Sequence, residues 1–236
     1  MRLLVTRPLA DAKRTADALR DRGHDAIVAP LLQIVALPGA TLGVGPWSAI
    51  LVTSANAAAA IAAHHRGSEL LHLPVFAVGR RSADAMRKIG FANVASADGG
   101  VNDLARLAAA RMKPGASLLY LAGEDRSGDL AGPLRTKGYA VEIAEVYRAD
   151  AAASLPDVAV SALATGLHGV LHFSRRSAET YLAAARTARL LERALKPVHY
   201  CLSAQVAEPL AAAGAPAIRI AAAPRESELF ALLDAE

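Results

Sequence analysis

The chain has 236 residues, of which 53% are hydrophobic and only 4% aromatic, so its cores must be built from Ala, Val, Leu and Ile in small layers of helix on sheet. Its net charge of +4 and pI near 9.5 suit an anionic partner, but no run of about five Lys or Arg occurs, which argues against a nucleic-acid arm. No stretch of about 18 apolar residues is present, so no membrane span is predicted, and the lone cysteine, Cys201, excludes an intrachain disulfide.

In chain order, Met1–Pro8 has too few apolar residues before Arg7 for a signal peptide, and the expected location is the cytoplasm. Arg2–Pro30 predicts strand, helix, glycine, strand. Leu9, Ala12, Ala16 and Leu19 share one helical face, and Pro8 suits a first helical position. Leu31–Leu37 is extended and β-prone. Ser48–Ala63 is a buried strand ending in hydroxyl residues, then a helix. Pro74–Ala97 again gives strand, helix, glycine, strand, with a further helix near Asp103–Met112. Ser117–Ala144 repeats that pattern and runs into the extended Glu142–Arg148. Gly169–Ala184 is strand then helix, Pro197–Ala221 is strand, helix, glycine, strand, and a last helix covers Glu226–Leu233. Cys201 lies in the apolar run Val198–Leu202 and reads as a buried strand residue.

The chain repeats itself at an offset of about 120 residues. Ser48–Ala63 matches Gly169–Ala184, with Ser54 on Ser174. Pro74–Ala97 matches Pro197–Ala221, with Gly90 on Gly214. Arg2–Pro30 matches Ser117–Ala144, with Gly23 on Gly138. The strands are continuous apolar runs, the pattern of parallel strands covered on both faces, and they alternate with helices as in βαβ units. Ten strands in two sets predict two five-stranded, doubly wound parallel sheets. The repeat alone allows a cut near Lys113–Ala116, or a discontinuous domain holding both chain ends with the middle as a second domain.

Ligands of such sheets sit beyond the carboxyl ends of the strands. Here those ends are Thr6-Arg7, Thr53-Ser54-Ala55-Asn56, Gly79-Arg80-Arg81-Ser82, Gly123-Glu124-Asp125-Arg126, Ser174-Arg175-Arg176-Ser177 and Ser203-Ala204-Gln205. Each is expected to open a helix, whose free N–H groups and dipole attract carboxylate or phosphate, and the arginines could add bidentate contacts. Taken singly, each Ser or Thr reads equally as a helix N-cap; the set predicts a cationic cleft for a large polyanion. No GxGxxG follows the first strand and no P-loop or GxSxG elbow occurs. The seven histidines show no metal spacing, and His64-His65 reads as a helix end.

The stretches LLVTRP (Leu3–Pro8), PLLQI (Pro30–Ile34), LVTSANA (Leu51–Ala57), AVG (Ala77–Gly79), LAGEDR (Leu121–Arg126), VYR (Val146–Arg148) and FSRRSAETY (Phe173–Tyr181) together resemble the uroporphyrinogen-III synthase family. The resemblance implies a bilobal α/β fold of two similar flavodoxin-like domains joined by a two-stranded antiparallel linker. Domain 1 is then 1–30 plus 150–236, domain 2 is 38–141, and 31–37 and 142–149 form the hinge. It implies hydroxymethylbilane as substrate, held in the interdomain cleft, with no cofactor or metal, no nucleic acid and no membrane. A monomer is the default, with possible hand-over from the preceding deaminase.

Tyr147 matches the tyrosine of the family's VY motif and is the candidate catalytic acid or hydrogen-bond donor. Arg7, Thr53, Ser54, Asn56, Gly79, Arg80, Ser82, Gly123, Arg126, Ser174, Arg175, Ser203 and Gln205 are the candidate substrate contacts. The chain departs from the family pattern at Gln205 and Val206, where hydroxyl residues are usual, and Pro209 is expected to delay or kink its helix. The alternative is a non-catalytic anion-binding or regulatory module on the same fold.

Overall fold

The computed structural model describes residues 1–126 and 128–234. The chain divides into two compact units, Met1–Gln33 with Asp150–Glu236, and Ile34–Ala149. It begins in unit 1 with β1 (Arg2–Val5), α1 (Leu9–Arg20) and β2 (Asp25–Val28), then runs through β3 (Leu32–Ala36) into unit 2. There it forms β4 (Ala49–Val52), α2 (Asn56–Ala62), β5 (Val75–Ala77), α3 (Arg80–Lys88), β6 (Val94–Ser96), α4 (Val101–Arg111), β7 (Ser117–Gly123), α5 (Ala131–Thr136) and β8 (Ala140–Ala151). It returns to unit 1 as α6 (Asp157–Thr165), β9 (Gly169–His172), α7 (Arg175–Thr187), α8 (Leu191–Leu195), β10 (Val198–Cys201), α9 (Ala204–Ala212), β11 (Ile218–Ile220) and α10 (Glu226–Asp234). Among the described residues no helix is long and apolar enough to cross a membrane.

The strands of unit 1 form one parallel sheet in the order β11-β10-β9-β1-β2. Alternation along each strand sends neighbours to opposite faces. Leu4, Val170 and Cys201 join one core with Tyr181 and Leu182 of α7, whereas Leu3, Val5, Leu171 and Tyr200 join another with Leu19 of α1 and Phe230 of α10. Helices therefore cover both faces, which is why these strands are apolar throughout. Unit 2 follows the same rule. Ile50, Val52, Leu119 and Leu121 pack with Ile61 and Met86, while Ala49, Leu51, Leu118 and Tyr120 pack with Leu104 and Leu134.

The sheet of unit 2 has the order β3-β8-β7-β4-β5-β6. Its last five strands occupy the same places as β2, β1, β9, β10 and β11. The registers agree as well: Leu3 pairs Gly169 as Leu118 pairs Ala49, and Val5 pairs Leu171 as Tyr120 pairs Leu51. Register also corrects the sequence alignment of one pair of strands. Val75 pairs Ile50 and His199 pairs Val170, so Val75 corresponds to His199 and Phe76 to Tyr200, one residue from the match that began at Pro74 and Pro197. The glycine match holds, with Gly90 at φ 107° and Gly214 at φ 83°, a left-handed position where a side chain is penalised.

Three further expectations change. Unit 2 carries a sixth strand, because Leu32–Ala36 adds beside β8. The bonds from Leu37 N to Val146 O (2.8 Å) and from Ala152 N to Leu31 O (2.9 Å) make that pair antiparallel. Residues 142–149 are not a separate hinge strand but the middle of the 12-residue β8. Pro8 stands just outside α1 as its N-cap, with φ −51° and ψ 145°. α9 starts directly after Ser203 in spite of Pro209; the ring removes the bond to the Gln205 carbonyl, and Gln205 is exposed, so water can replace it.

Candidate active site

In both sheets the strand order reverses direction between two central strands, β1 and β9 in unit 1 and β7 and β4 in unit 2. Ligands bind beyond the carboxyl ends at such a point. In unit 2 this place holds a polar cluster. β7 pairs regularly with β8 up to Ala122 and Glu145, then shifts so that Gly123 pairs Tyr147. The extra residue, Val146, is a β-bulge, which re-aims the side chain after it. Val146 and Tyr147 would face opposite ways in a regular strand, yet both join the core shared with Ala57 and Ile61 of α2. The bulge thus turns Tyr147 onto the end of β7.

Gly123 makes room for it. A Cβ there would lie 2.6 Å from Tyr147 Cε2, 2.8 Å from Cζ and 3.0 Å from the phenol oxygen, closer than any side chain tolerates. The phenol bonds to the Ser54 side chain and to the Gly123 backbone, and burial raises its pKa above 10. The Thr53 hydroxyl, beside Ser54, lies 2.8 Å from the hydroxyl of Tyr120, a second phenol whose pKa burial also raises. Both tyrosines therefore keep their protons through neutral pH. Arg126 completes the group: its Nη1 donates to Glu145 Oε1 at 2.6 Å and to the Gly123 carbonyl at 3.5 Å.

The structure thus brings Thr53, Ser54, Gly123, Arg126 and Tyr147 together, and adds Tyr120, which sequence reasoning missed. The one signal for it was a single polar tip within the apolar run of β7, since a buried tyrosine hydroxyl needs a partner. Asn56 opens α2, its backbone N–H donating to Ser54 Oγ at 3.2 Å. Gly79 is the extended N-cap of α3 with open space around it. Arg80 is exposed and donates to Asp98 at 3.1 Å, while Ser82 is buried in the first turn of α3. The strand end at Gly123–Arg126 does not open a helix, because α5 begins only at Ala131.

In unit 1, Arg7 is drawn inward. Its Nη1 donates to Thr15 at 3.1 Å and to Glu226 at 3.0 Å, its Nη2 lies 3.6 Å from Asp11, and its guanidinium sits 4.0 Å over the Phe173 ring. Ser174 caps α7, accepting from Ser177 N at 3.1 Å and lying 2.8 Å from Ser177 Oγ. Arg175 pairs with Glu179 and Glu208, at 2.9 and 2.6 Å, and those carboxylates hold its pKa up. Ser203 is the N-cap of α9 without a side-chain cap bond, and Gln205 is exposed on its first turn. Beneath these strand ends, His172 and His199 lie buried with His172 Nε2 3.1 Å from His199 Nδ1. Burial lowers the pKa of both, His199 to about 4, so both are neutral at pH 7. Burial likewise raises Cys201 to about 12. Among the described residues no cluster of three metal-ligating side chains occurs.

The family model described as uroporphyrinogen-III synthase HemD matches residues 13–231. Comparison with curated proteins gives no match. Among solved structures, uroporphyrinogen-III synthetase from Helicobacter pylori 26695 is similar with a TM-score of 0.66 and 18% identity, over 100% of this chain and 99% of that one. A mutant uroporphyrinogen III synthase from the extremely thermophilic bacterium Thermus thermophilus has a TM-score of 0.53 and 16% identity, over 100% and 98%. At those identities the likeness speaks for the fold, a mixed α/β fold with parallel sheets. With the family model covering all but the two ends, the chain belongs to the uroporphyrinogen-III synthase family, enzymes of tetrapyrrole biosynthesis.

Proposed function

We propose that this chain closes hydroxymethylbilane to uroporphyrinogen III, with loss of water and inversion of ring D. The observation that carries the reading is the buried, protonated phenol of Tyr147, held by Ser54 and Gly123 at the switch point of unit 2 with Arg126 beside it. Each unit is taken as a flavodoxin-like domain, the first discontinuous, with β3 and β8 as the paired linker.

In this scheme the hydroxyl on ring A departs as water and leaves an azafulvene cation. Ring D attacks through its substituted carbon to give a spiro intermediate, which fragments and recloses at the free carbon of ring D. The proton lost from that carbon balances the one carried off in the water. Tyr147 donates a hydrogen bond to the departing hydroxyl. Its raised pKa makes it a poor full proton donor but keeps the donor present across the neutral range. Closure without an enzyme joins the free carbon directly and gives the type I isomer, so the protein's larger contribution is to hold one folded conformer and to keep water from the cation. The eight carboxylates of the bilane are assigned to Thr53, Asn56, Gly79, Arg80 and Arg126 in unit 2 and to Arg175, Ser203 and Gln205 in unit 1, through helix-opening N–H groups and guanidinium forks. No cofactor enters the scheme.

The test is a coupled assay from porphobilinogen with the preceding deaminase. Type III product above the type I background is expected. A folded protein that yields only type I removes the proposal.

A further inference from the structure

Cations on this chain are commonly matched to carboxylates: Arg20 holds Asp17, Arg66 holds Glu69, Arg87 holds Asp84, and Arg175 holds Glu179 and Glu208. One stretch of unit 1 breaks that habit. Arg186 in the last turn of α7, Arg189 just past it, Arg193 in α8 and Lys196 after it are all exposed or half-buried at the surface. Among the described residues none of the four has an ion pair or a side-chain hydrogen bond. Arg186, Arg189 and Arg193 line one hollow of about 460 Å³. Arg193 also lines a second of about 430 Å³, together with Lys196, Thr165 and Gly166. The two meet at Arg193 as one trough, and Glu192 is the single acid lining it among the described residues. Leu167 and Pro197, in the wall of the second hollow, stand just before β9 and β10. The trough therefore lies at the amino ends of these strands, away from the carboxyl ends that carry the candidate contacts of unit 1.

Arg189 is the telling residue. α7 ends with Leu190 N bonded to Ala185 O at 2.8 Å and Arg189 N to Arg186 O at 2.9 Å, the arrangement that calls for a left-handed residue and favours glycine. Arg189 takes that conformation, at φ 57°, although its Cβ is penalised there. The helix dipole accounts for a cation such as Arg186 in the last turn. It does not account for an arginine at the position where glycine is the stable choice, and a local outlier of this kind points to a role for the side chain.

We propose that this trough is a second anion site, for the di- or triphosphate group of a small molecule. Three guanidinium forks match phosphate oxygens bidentately. The hollows have the size of small-ligand pockets, and Leu190 and Leu191 beside the arginines offer apolar wall for an organic portion.

The test is titration calorimetry at low salt with inorganic tripolyphosphate as the probe. Saturable binding is expected. Arg193→Ala should weaken it ten-fold or more. Arg189→Gly should weaken it several-fold while raising the melting temperature, a combination that damage to the fold cannot produce. Arg111→Ala, which removes an exposed cation of unit 2, and Arg126→Ala should leave it unchanged. Citrate should bind at least ten-fold more weakly than tripolyphosphate. The proposal is overturned if Arg193→Ala binds as the unaltered chain does, if Arg111→Ala or Arg126→Ala loses as much, or if citrate or a DNA duplex binds through these arginines as tightly as tripolyphosphate.

Discussion

Replacing Gly123 by alanine tests the placement of Tyr147 without touching the tyrosine. The added methyl would lie 2.6–3.0 Å from three atoms of the phenol ring, whereas carbon atoms rest at about 3.5–4.0 Å. The ring must therefore retreat by roughly 1 Å, and its bonds to Ser54 and to the Gly123 backbone cannot both survive. A misplacement of about 1 Å at a reacting centre can cost on the order of 100-fold in rate. We expect type III formation to fall between ten- and 100-fold, at a stability cost of about 1–3 kcal/mol for the overpacked site. The assay is the coupled synthesis of uroporphyrinogen isomers, with urea unfolding alongside. If Gly123→Ala acts through Tyr147, the double variant with Tyr147→Phe should be no slower than Tyr147→Phe alone, because neighbours in one interaction do not add. Full activity in Gly123→Ala, or losses that multiply in the double variant, would refute the reasoning.

Other outcomes are open to measurement. Tyr147→Phe should slow turnover ten-fold or more, about 1.4 kcal/mol of barrier, and in the unaltered enzyme the raised phenol pKa should leave the rate without a Tyr147-dependent fall between neutral pH and about pH 10. Arg7→Ala strands Glu226 and Asp11 near Thr15, so it should destabilise unit 1 by about 1–3 kcal/mol, read as a lowered urea midpoint. Acid should weaken the fold through the buried histidines. The unfolded chain takes up a proton on His199 near pH 6.5 while the folded chain resists until about pH 4. Stability from this residue is thus complete above about 6.5 and falls by about 3 kcal/mol on reaching pH 4, with His172 acting in the same direction. His199→Gln should flatten that slope in equilibrium unfolding.

The strands were legible because each is a short apolar run buried on both faces, and the repeat was legible because its glycines mark the same left-handed turns. What escaped the sequence depends on tertiary pairing. The bulge at Val146 is a change in register between two strands, invisible in either alone. Gly123 looks like any polar strand end until the ring of Tyr147 is laid over it. Arg7 reads as an open cation because its partner Glu226 stands more than 200 residues on. Tyr120 and Thr53 are similarly distant in sequence and meet only because β7 and β4 are neighbours. The sixth strand escaped because Leu31–Leu37 is β-prone whichever sheet it joins.

Ser54 and Ser174 occupy the same place in the repeat, so the pair separates what the fold requires from what the chemistry requires. Ser174 is committed to α7: its oxygen accepts from Ser177 N, which satisfies a helix-opening N–H group. Ser54 does little of that work, since α2 has Ala55 at its N-cap and no side-chain cap bond, and it bonds instead to the Tyr147 phenol. Ser174→Ala should therefore cost about 1 kcal/mol of stability with a comparatively small change in rate. Ser54→Ala should cost little stability and slow type III formation several-fold, because the phenol loses one of the two bonds that aim it. The opposite pattern, with the rate falling in Ser174→Ala and stability in Ser54→Ala, would place the working end of the protein in unit 1 and leave the tyrosine of unit 2 as packing.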